Sequence, residues 1–203
     1  MAPDFSRPIE ALKACHERLQ SQCAALRGLV DHIRDPGCDA QAQQAAAGVM
    51  RYFDTAARHH HADEEEDLLP RMMAAASMDR GLRLRRIVAD LAREHREMDR
   101  AWSRLRPVLQ EIAAGKRAAL DLRAVNRFAQ LYAAHIELEE ASVYPLAEML
   151  LSREDLAEIG ANMARRRALL TAGFPPGVSF FQKKRPAPWE ARAASCGNPG
   201  IVT

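Results

Sequence analysis

The sequence of 203 residues predicts an all-α protein, an up-down-up-down four-helix bundle with a short fifth helix and an irregular C-terminal tail. Alanine, leucine and arginine dominate the composition and β-branched residues are few, which favours helices. Long apolar stripes advance in alternating steps of three and four residues, the spacing of a buried helix face. Stretches rich in proline, glycine and aspartate separate these stripes. The length suits one domain with a sizeable core.

The first helix is predicted to begin near Pro8, with Ser6 as its N-cap, and to end at a turn over residues 35–39. One member of its apolar stripe is the histidine His16. The full stripe contains Ile9, Leu12, His16, Leu19, Cys23, Leu26, Val30 and Ile33. The polar ring therefore occupies a position that faces the core.

The second helix is predicted to run from near Asp39 to about Ala76. Pro70 should loosen its last turns, because a proline ring clashes with the carbonyl four residues earlier. The next turn is predicted at residues 77–81. Histidine and glutamate again interrupt the face towards the core, which contains Val49, Phe53, Ala56, His60, Glu64 and Leu68.

The third stripe runs from Leu84 to Ile112 and is interrupted by His95, with a bend expected at Pro107. The fourth helix is predicted from near Ala118 to about residue 151, and its core face contains His135 and Glu139. A fifth helix should follow from an N-cap at Ser152 to about Leu170. These elements define a domain over residues 1–170. The stretch 171–203 is rich in proline and glycine without a period, and we expect it to be irregular or disordered.

An internal repeat singles out the polar residues of the core. Residues 60–70 and 135–145 superpose without a gap on the pattern His-x-x-x-Glu-Glu-x-x-x-x-Pro. The midpoints between successive core histidines fall at residues 38, 77–78 and 115, inside the three predicted turns. In an up-down-up-down bundle, residues equidistant from a turn lie at the same height. We therefore expect four histidines and two glutamates in one layer.

Burying this layer without partners would cost several kcal/mol per group, and a bound cation offsets that cost. Nitrogen and oxygen ligands together favour iron, with manganese or zinc as alternatives. The absence of thiolates from the pattern disfavours a structural zinc site. The sequence therefore predicts a metal centre.

The same residues resemble the hemerythrin and HHE-domain family, over roughly residues 9–150. That resemblance implies a non-haem centre of two iron ions with an oxo or hydroxo bridge. The first two histidines would bind one iron, the last two the other, and both glutamates would bridge them. The residues concerned are His16, His60, Glu64, His95, His135 and Glu139.

Two further positions are candidate metal ligands. Oxygen-carrying members of the family have a histidine one turn after the third-helix ligand, where this sequence has Asp99. This change argues against simple reversible oxygen carriage, and Asp99 is either an oxygen ligand or a hydrogen-bond partner. His61 is a candidate additional ligand at the edge of the site. His59 points about 100° away from His60 and is expected to face solvent or to support a ligand.

The other charged residues near the motifs have simpler interpretations. Asp63, Glu65, Glu66 and Glu140 form either a solvated face or acceptors for the N–H groups of the ligands. The cluster of Arg165, Arg166 and Arg167 with Lys183, Lys184 and Arg185 is expected to form a solvated helix end and tail, and contact with an acidic partner is the alternative.

The resemblance implies that the protein binds or senses O2, NO or peroxide, small ligands that an open iron site can take. An enzyme-like role in peroxide or NO detoxification, or in iron–sulfur cluster repair and iron delivery, is the alternative, and a helical interaction module is the third. The sequence leaves open whether the protein is an enzyme.

A net charge of +2 argues against nucleic-acid binding. The sequence also lacks an apolar run of bilayer length and Cys-x-x-Cys spacing, so we expect a cytoplasmic protein without a membrane partner.

Overall fold

The computed structural model describes residues 4–34 and 37–171, and within them the chain is helical without a β-strand. The predicted all-α class is therefore confirmed. The predicted tail lies outside the described residues beyond Thr171. The helices are α1 (Pro8–His32), α2 (Ala40–Asp54), α3 (Ala56–Ala62), α4 (Leu69–Ala75), α5 (Met78–Ala113), α6 (Leu122–Leu138), α7 (Tyr144–Leu150) and α8 (Arg153–Thr171).

The start of α1 differs from the prediction. Arg7, not Ser6, occupies the N-cap position, and its side chain makes no capping hydrogen bond. The Ser6 hydroxyl instead donates to Asp4 Oδ1 at 2.7 Å. Pro8 begins the helix because its fixed φ suits the first turn and it has no N–H to satisfy. The predicted cap of α2 is present, since Asp39 accepts from the Ala42 N–H at 2.8 Å.

The second and fourth predicted helices each contain a wide π-helical turn. The first π-helical segment, Asp63–Leu68, joins α3 to α4, and the second, Glu139–Val143, joins α6 to α7. Pro70 and Pro145 each occupy one of the first two positions of the α-helix that follows. A wider turn moves the carbonyl four residues earlier away from the proline ring. The loosening predicted at Pro70 therefore occurs, and an equivalent one occurs before Pro145.

Two other helix boundaries correct the prediction. α5 begins at Met78, so the turn predicted over residues 77–81 is too long, and the helix continues through Pro107. The third turn contains Gly115 with a φ of 76°, a left-handed conformation that favours glycine. α6 begins at Leu122, later than expected, because Asp121 caps it by accepting from the Arg123 N–H at 2.9 Å. α8 begins at Arg153, as predicted for the fifth helix.

The helices pack around two apolar clusters. α1 and α5 each contact both α2 and α6, and α8 contacts α1, α3 and the first π-helical segment. One cluster includes Leu26, Phe53 and Phe128, and the other includes Leu12 and Met72. Along the chain, the predicted histidines and glutamates fall where one cluster gives way to the other, except for His135, which lies one residue before Ile136 of the first cluster. None of the helices in the described ranges is long and apolar enough to cross a membrane.

Candidate metal centre

The structure brings all six predicted histidines and glutamates together in the core, each at most 3% exposed. Their ligand atoms form two groups, and within each group the atoms lie within 4.8 Å of one another. Both groups contain Glu64 and Glu139. The first group adds His16 and His60, and the second adds His95 and His135.

The two copies of the repeat present their ligands in the same way. His60 Nε2 lies 3.3 Å from Glu64 Oε1, and His135 Nε2 lies 3.3 Å from Glu139 Oε1. In both copies the histidine lies on the last turn of an α-helix and the glutamate lies in the π-helical segment that follows. The repeat in the sequence is therefore a repeat of site geometry.

The second glutamate of each motif orients a histidine from another helix. His16 Nδ1–H donates to Glu140 Oε1 at 2.8 Å, and His95 Nδ1–H donates to Glu65 Oε1 at 2.6 Å. Of the two interpretations offered for these glutamates, the structure supports acceptors for ligand N–H groups. With the proton on Nδ1, each ring points the Nε2 lone pair towards the candidate centre.

The sequence pattern does not predict a third carboxylate, Glu94, that supports a histidine of the centre. It accepts from His135 Nδ1–H at 2.9 Å. Glu94 immediately precedes His95, but the equivalent position before His16 is Cys15, so the internal repeat offers no signal for it. His60, the counterpart of His135, correspondingly has no hydrogen-bond partner for Nδ1 among the described residues.

Several buried ligand atoms fit a metal ion better than they fit one another. Within the described part of the chain, four of them lack a hydrogen-bond partner: His60 Nε2, His61 Nε2, Glu64 Oε2 and Glu139 Oε1. An unsatisfied buried polar group costs about 1–3 kcal/mol. A cation coordinated by these lone pairs would remove that cost. The set of imidazole and carboxylate donors suits iron, with manganese or zinc as alternatives.

The titration of the two glutamates differs although both are fully buried. Burial and the nearby charge of Glu139 raise the pKa of Glu64 well above its ordinary value. Burial also acts to raise the pKa of Glu139, but the close contact with the charged ring of His135 holds it well below the ordinary value. In the metal-free protein, Glu64 therefore keeps a proton more readily than Glu139 does.

His135 and His95 also titrate differently. Burial acts to lower the pKa of His135, but the nearby carboxylate of Glu139 and the hydrogen bond to Glu94 raise it to about 9. Burial lowers the pKa of His95. The two Nε2 atoms lie 3.0 Å apart, so the protonated His135 donates to the bare nitrogen of His95. A proton thus occupies part of the second group when no metal is bound.

We expect metal binding to release this proton. At a pH below about 9, His135 is protonated in the metal-free protein and must become neutral to bind a metal. Apparent metal affinity should therefore rise with pH and level off above about 9, by about tenfold per pH unit for each proton released. Titration calorimetry in buffers of different ionisation enthalpy measures the number of protons. An affinity independent of pH would contradict the assignment of His135.

A Glu140→Ala variant should weaken metal binding without removing a ligand of either group. Loss of its bond to His16 frees the ring to rotate and to change tautomer, and metal affinity should fall by about 10–100-fold. Competition with a chelator measures this change. Glu148→Ala is the matched control, because this exposed glutamate pairs on the surface with Lys13, its only ion-pair partner among the described residues. Equal affinities for both variants would refute the role of Glu140.

His61 lies beside the second group, whereas Asp99 does not join it. The His61 ring stacks on that of His95, with centroids 3.9 Å apart, and its side chain is buried. His61, His95 and His135 form a third group with the spacing of metal ligands. Asp99 is exposed and belongs to none of the groups found in the described ranges. His59 is half-buried, neither fully solvent-facing nor in contact with a ligand in any described interaction.

Tyr144 is a residue of the site that the sequence pattern does not predict. Its hydroxyl lies 3.0 Å from His16 Nε2 and 3.0 Å from Glu64 Oε1. The ring stacks on that of His16, with centroids 5.4 Å apart and planes inclined by 16°. In the internal repeat this position corresponds to Leu69, so only one copy has a hydroxyl here. That difference between the copies is the signal that the sequence offered.

The interpretation of Asp63 as a solvated acid or as a support for a ligand is wrong. Asp63 is fully buried, and both Arg166 and Arg167 of α8 pair with it. Arg166 also contacts Asp67 and Glu66, each at 2.8 Å. These two arginines are therefore not at a solvated helix end. Instead, α8 holds the π-helical segment that contains Glu64.

The fold and the site together define a helical metal-binding protein of the histidine–carboxylate type. Residues 7–147 match the family model of the hemerythrin HHE cation binding domain, so the chain belongs to that family, as the resemblance predicted. The chain is also similar to an uncharacterized protein of Haemophilus influenzae. The two are 32% identical over 166 residues, which cover 80% of this chain and 91% of the relative.

Proposed function

We propose that the protein binds a pair of iron ions in this centre and, through them, binds or senses O2, NO or peroxide. The observation that supports this most directly is the sharing of Glu64 and Glu139 by both ligand groups. Two carboxylates common to two sets of imidazoles suit bridging between two ions, as the resemblance to the hemerythrin family implies. The four ligand-bearing segments would run up-down-up-down.

The proposed ligand set leaves room for an exogenous molecule. His16 and His60 would bind one ion, and His95 and His135 the other, with both glutamates shared. Each ion then has two imidazoles and two shared oxygens from these residues, fewer than a six-coordinate iron takes. His61 would supply one more ligand to the second ion. A small ligand would use a remaining position.

A small pocket supports entry of such a ligand beside the second ion. It is lined by residues that include Phe53, His61, Asp99, Trp102 and Tyr132. His61 therefore faces both this pocket and the second ligand group. Because the pocket is narrow and largely aromatic, it would admit a diatomic molecule or peroxide more readily than a larger substrate.

Metal analysis combined with optical spectroscopy tests the proposed function. Purified protein should contain iron and show near-ultraviolet charge-transfer bands from a bridging oxygen, and azide or NO should change its spectrum. Protein that contains only zinc, or iron protein that responds to neither ligand, would refute the proposal. Turnover of peroxide by the wild type that is lost in Glu64→Ala would favour the enzyme-like alternative over binding or sensing.

A further inference from the structure

The hydroxyl of Tyr144 lies inside the first ligand group. Besides its 3.0 Å distances to His16 Nε2 and Glu64 Oε1, it lies 3.5 Å from Glu139 Oε2. The oxygen thus contacts three of the four residues that form this group. The side chain is fully buried, and stacking of its ring on His16 limits its reorientation.

We propose that the phenolic oxygen of Tyr144 is a further metal ligand, bound to the ion held by His16, His60, Glu64 and Glu139. The inference rests on the proposed function, because it requires a metal in that group. It makes the two halves of the centre chemically different. One ion would have a phenolate oxygen, and the other would have His61 beside it.

The hydrogen-bonding capacity of the group supports coordination by this oxygen. His16 directs its Nδ1 proton to Glu140, so its Nε2 is a bare acceptor. Once Glu64 and Glu139 are ionised, as metal ligands must be, their oxygens are also acceptors. Tyr144 has one hydroxyl proton, which can satisfy only one of these three neighbours. A cation among the four atoms satisfies all of them.

The internal repeat shows that this oxygen is specific to the first group. The residue equivalent to Tyr144 in the other copy is Leu69, which has no ligand atom. Tyr144 follows directly after the second π-helical segment, and its N–H donates to the Glu139 carbonyl. The wide turn therefore places Tyr144 and Glu139 on the same side of the helix, towards the centre.

Coordination is a deprotonation and the addition of a ligand, without electron transfer. The O–H bond of Tyr144 breaks, its proton leaves to solvent, and an oxygen–metal bond forms. The added anionic oxygen is a hard donor, and such donors bind Fe³⁺ strongly. We therefore expect the ferric form of the first ion to be favoured.

The optical spectrum of the ferric protein tests the inference. A phenolate bound to Fe³⁺ gives a charge-transfer band in the visible, apart from the near-ultraviolet bands of an oxygen bridge. The chain contains three tyrosines, so three variants cover every source: Tyr52→Phe, Tyr132→Phe and Tyr144→Phe. Only Tyr144→Phe should lose the visible band while retaining iron. Tyr132→Phe is the matched control, because Tyr132 is also buried but lies beside His61.

Each outcome separates the inference from the proposed function. Wild-type protein with iron but without a phenolate band, or a band that persists in Tyr144→Phe, overturns the inference and leaves the proposed function standing. Protein without iron overturns both. Resonance Raman spectra of the wild type, excited in the visible band, should show phenolate ring vibrations, and their absence also overturns the inference. This measurement needs no variant and does not depend on whether Tyr144→Phe folds.

Discussion

A Glu139→Ala variant should lose both proposed ions during purification. Glu139 belongs to both ligand groups, and its oxygens lie 3.1 Å from His16 Nε2 and 3.3 Å from His135 Nε2. Loss of a residue that only supports a ligand lowers metal affinity by at most about 100-fold. The Glu139→Ala substitution removes a ligand from both sites at once, so its effect on metal affinity should be larger. The ratio of iron to protein after removal of free metal measures the effect.

Two controls separate loss of a ligand from general damage to the protein. Glu137→Ala changes an exposed glutamate near the end of α6, two residues before Glu139, and should retain full metal content. Glu139→Gln keeps the volume and one oxygen, so it should fold as the wild type does and bind metal between the two extremes. If Glu139→Ala retained the wild-type iron content, the bridging assignment would be wrong.

An Asp63→Ala variant should lose much of its stability to unfolding. Asp63 is fully buried, and the arginines that pair with it, Arg166 and Arg167, are themselves mostly buried. Removal of one partner from a buried ion pair leaves an uncompensated charge and costs about 3–5 kcal/mol. Urea denaturation of the metal-free protein, followed by circular dichroism, measures the free energy of unfolding without a contribution from metal binding.

The same cluster contains a matched control. Glu66 pairs with Arg166 at 2.8 Å, but its side chain is 66% exposed. Glu66→Ala should therefore cost at most about 1 kcal/mol, as expected for an exposed pair. If Asp63→Ala lowered the free energy of unfolding by no more than Glu66→Ala does, the buried ion pairs of Asp63 would not be the contacts that anchor α8. Because Asp63 immediately precedes Glu64, we also expect Asp63→Ala to weaken metal binding.

Much of the site could be predicted because its signals are local. Helical spacing places a residue on a face, and distance from a turn places it at a height. These two coordinates suffice to bring His16, His60, His95 and His135 into one buried layer. The repeat of His-x-x-x-Glu then selects Glu64 from an acidic run.

The residues that were missed or misassigned depend on contacts between distant parts of the chain. Asp63 looked solvated because nothing in its own segment shows that α8, about a hundred residues later, covers it. Glu94 has no counterpart in the repeat, and its role depends on how α5 is rotated towards His135. Helix boundaries shifted where a local cap such as Asp121 outweighed the general pattern.

The sequence by itself determined the helical class, the family and which histidines and glutamates share one buried layer, because hydrophobic period and motif spacing are properties of a single segment. Only the tertiary structure decided which carboxylate orients each histidine, which arginines bury Asp63, and that the Tyr144 hydroxyl enters the first group. Those relations require positions within about 3 Å across different segments. Periodicity specifies a face and a height, whereas a hydrogen bond also requires the rotation of both segments and the rotamers of both side chains.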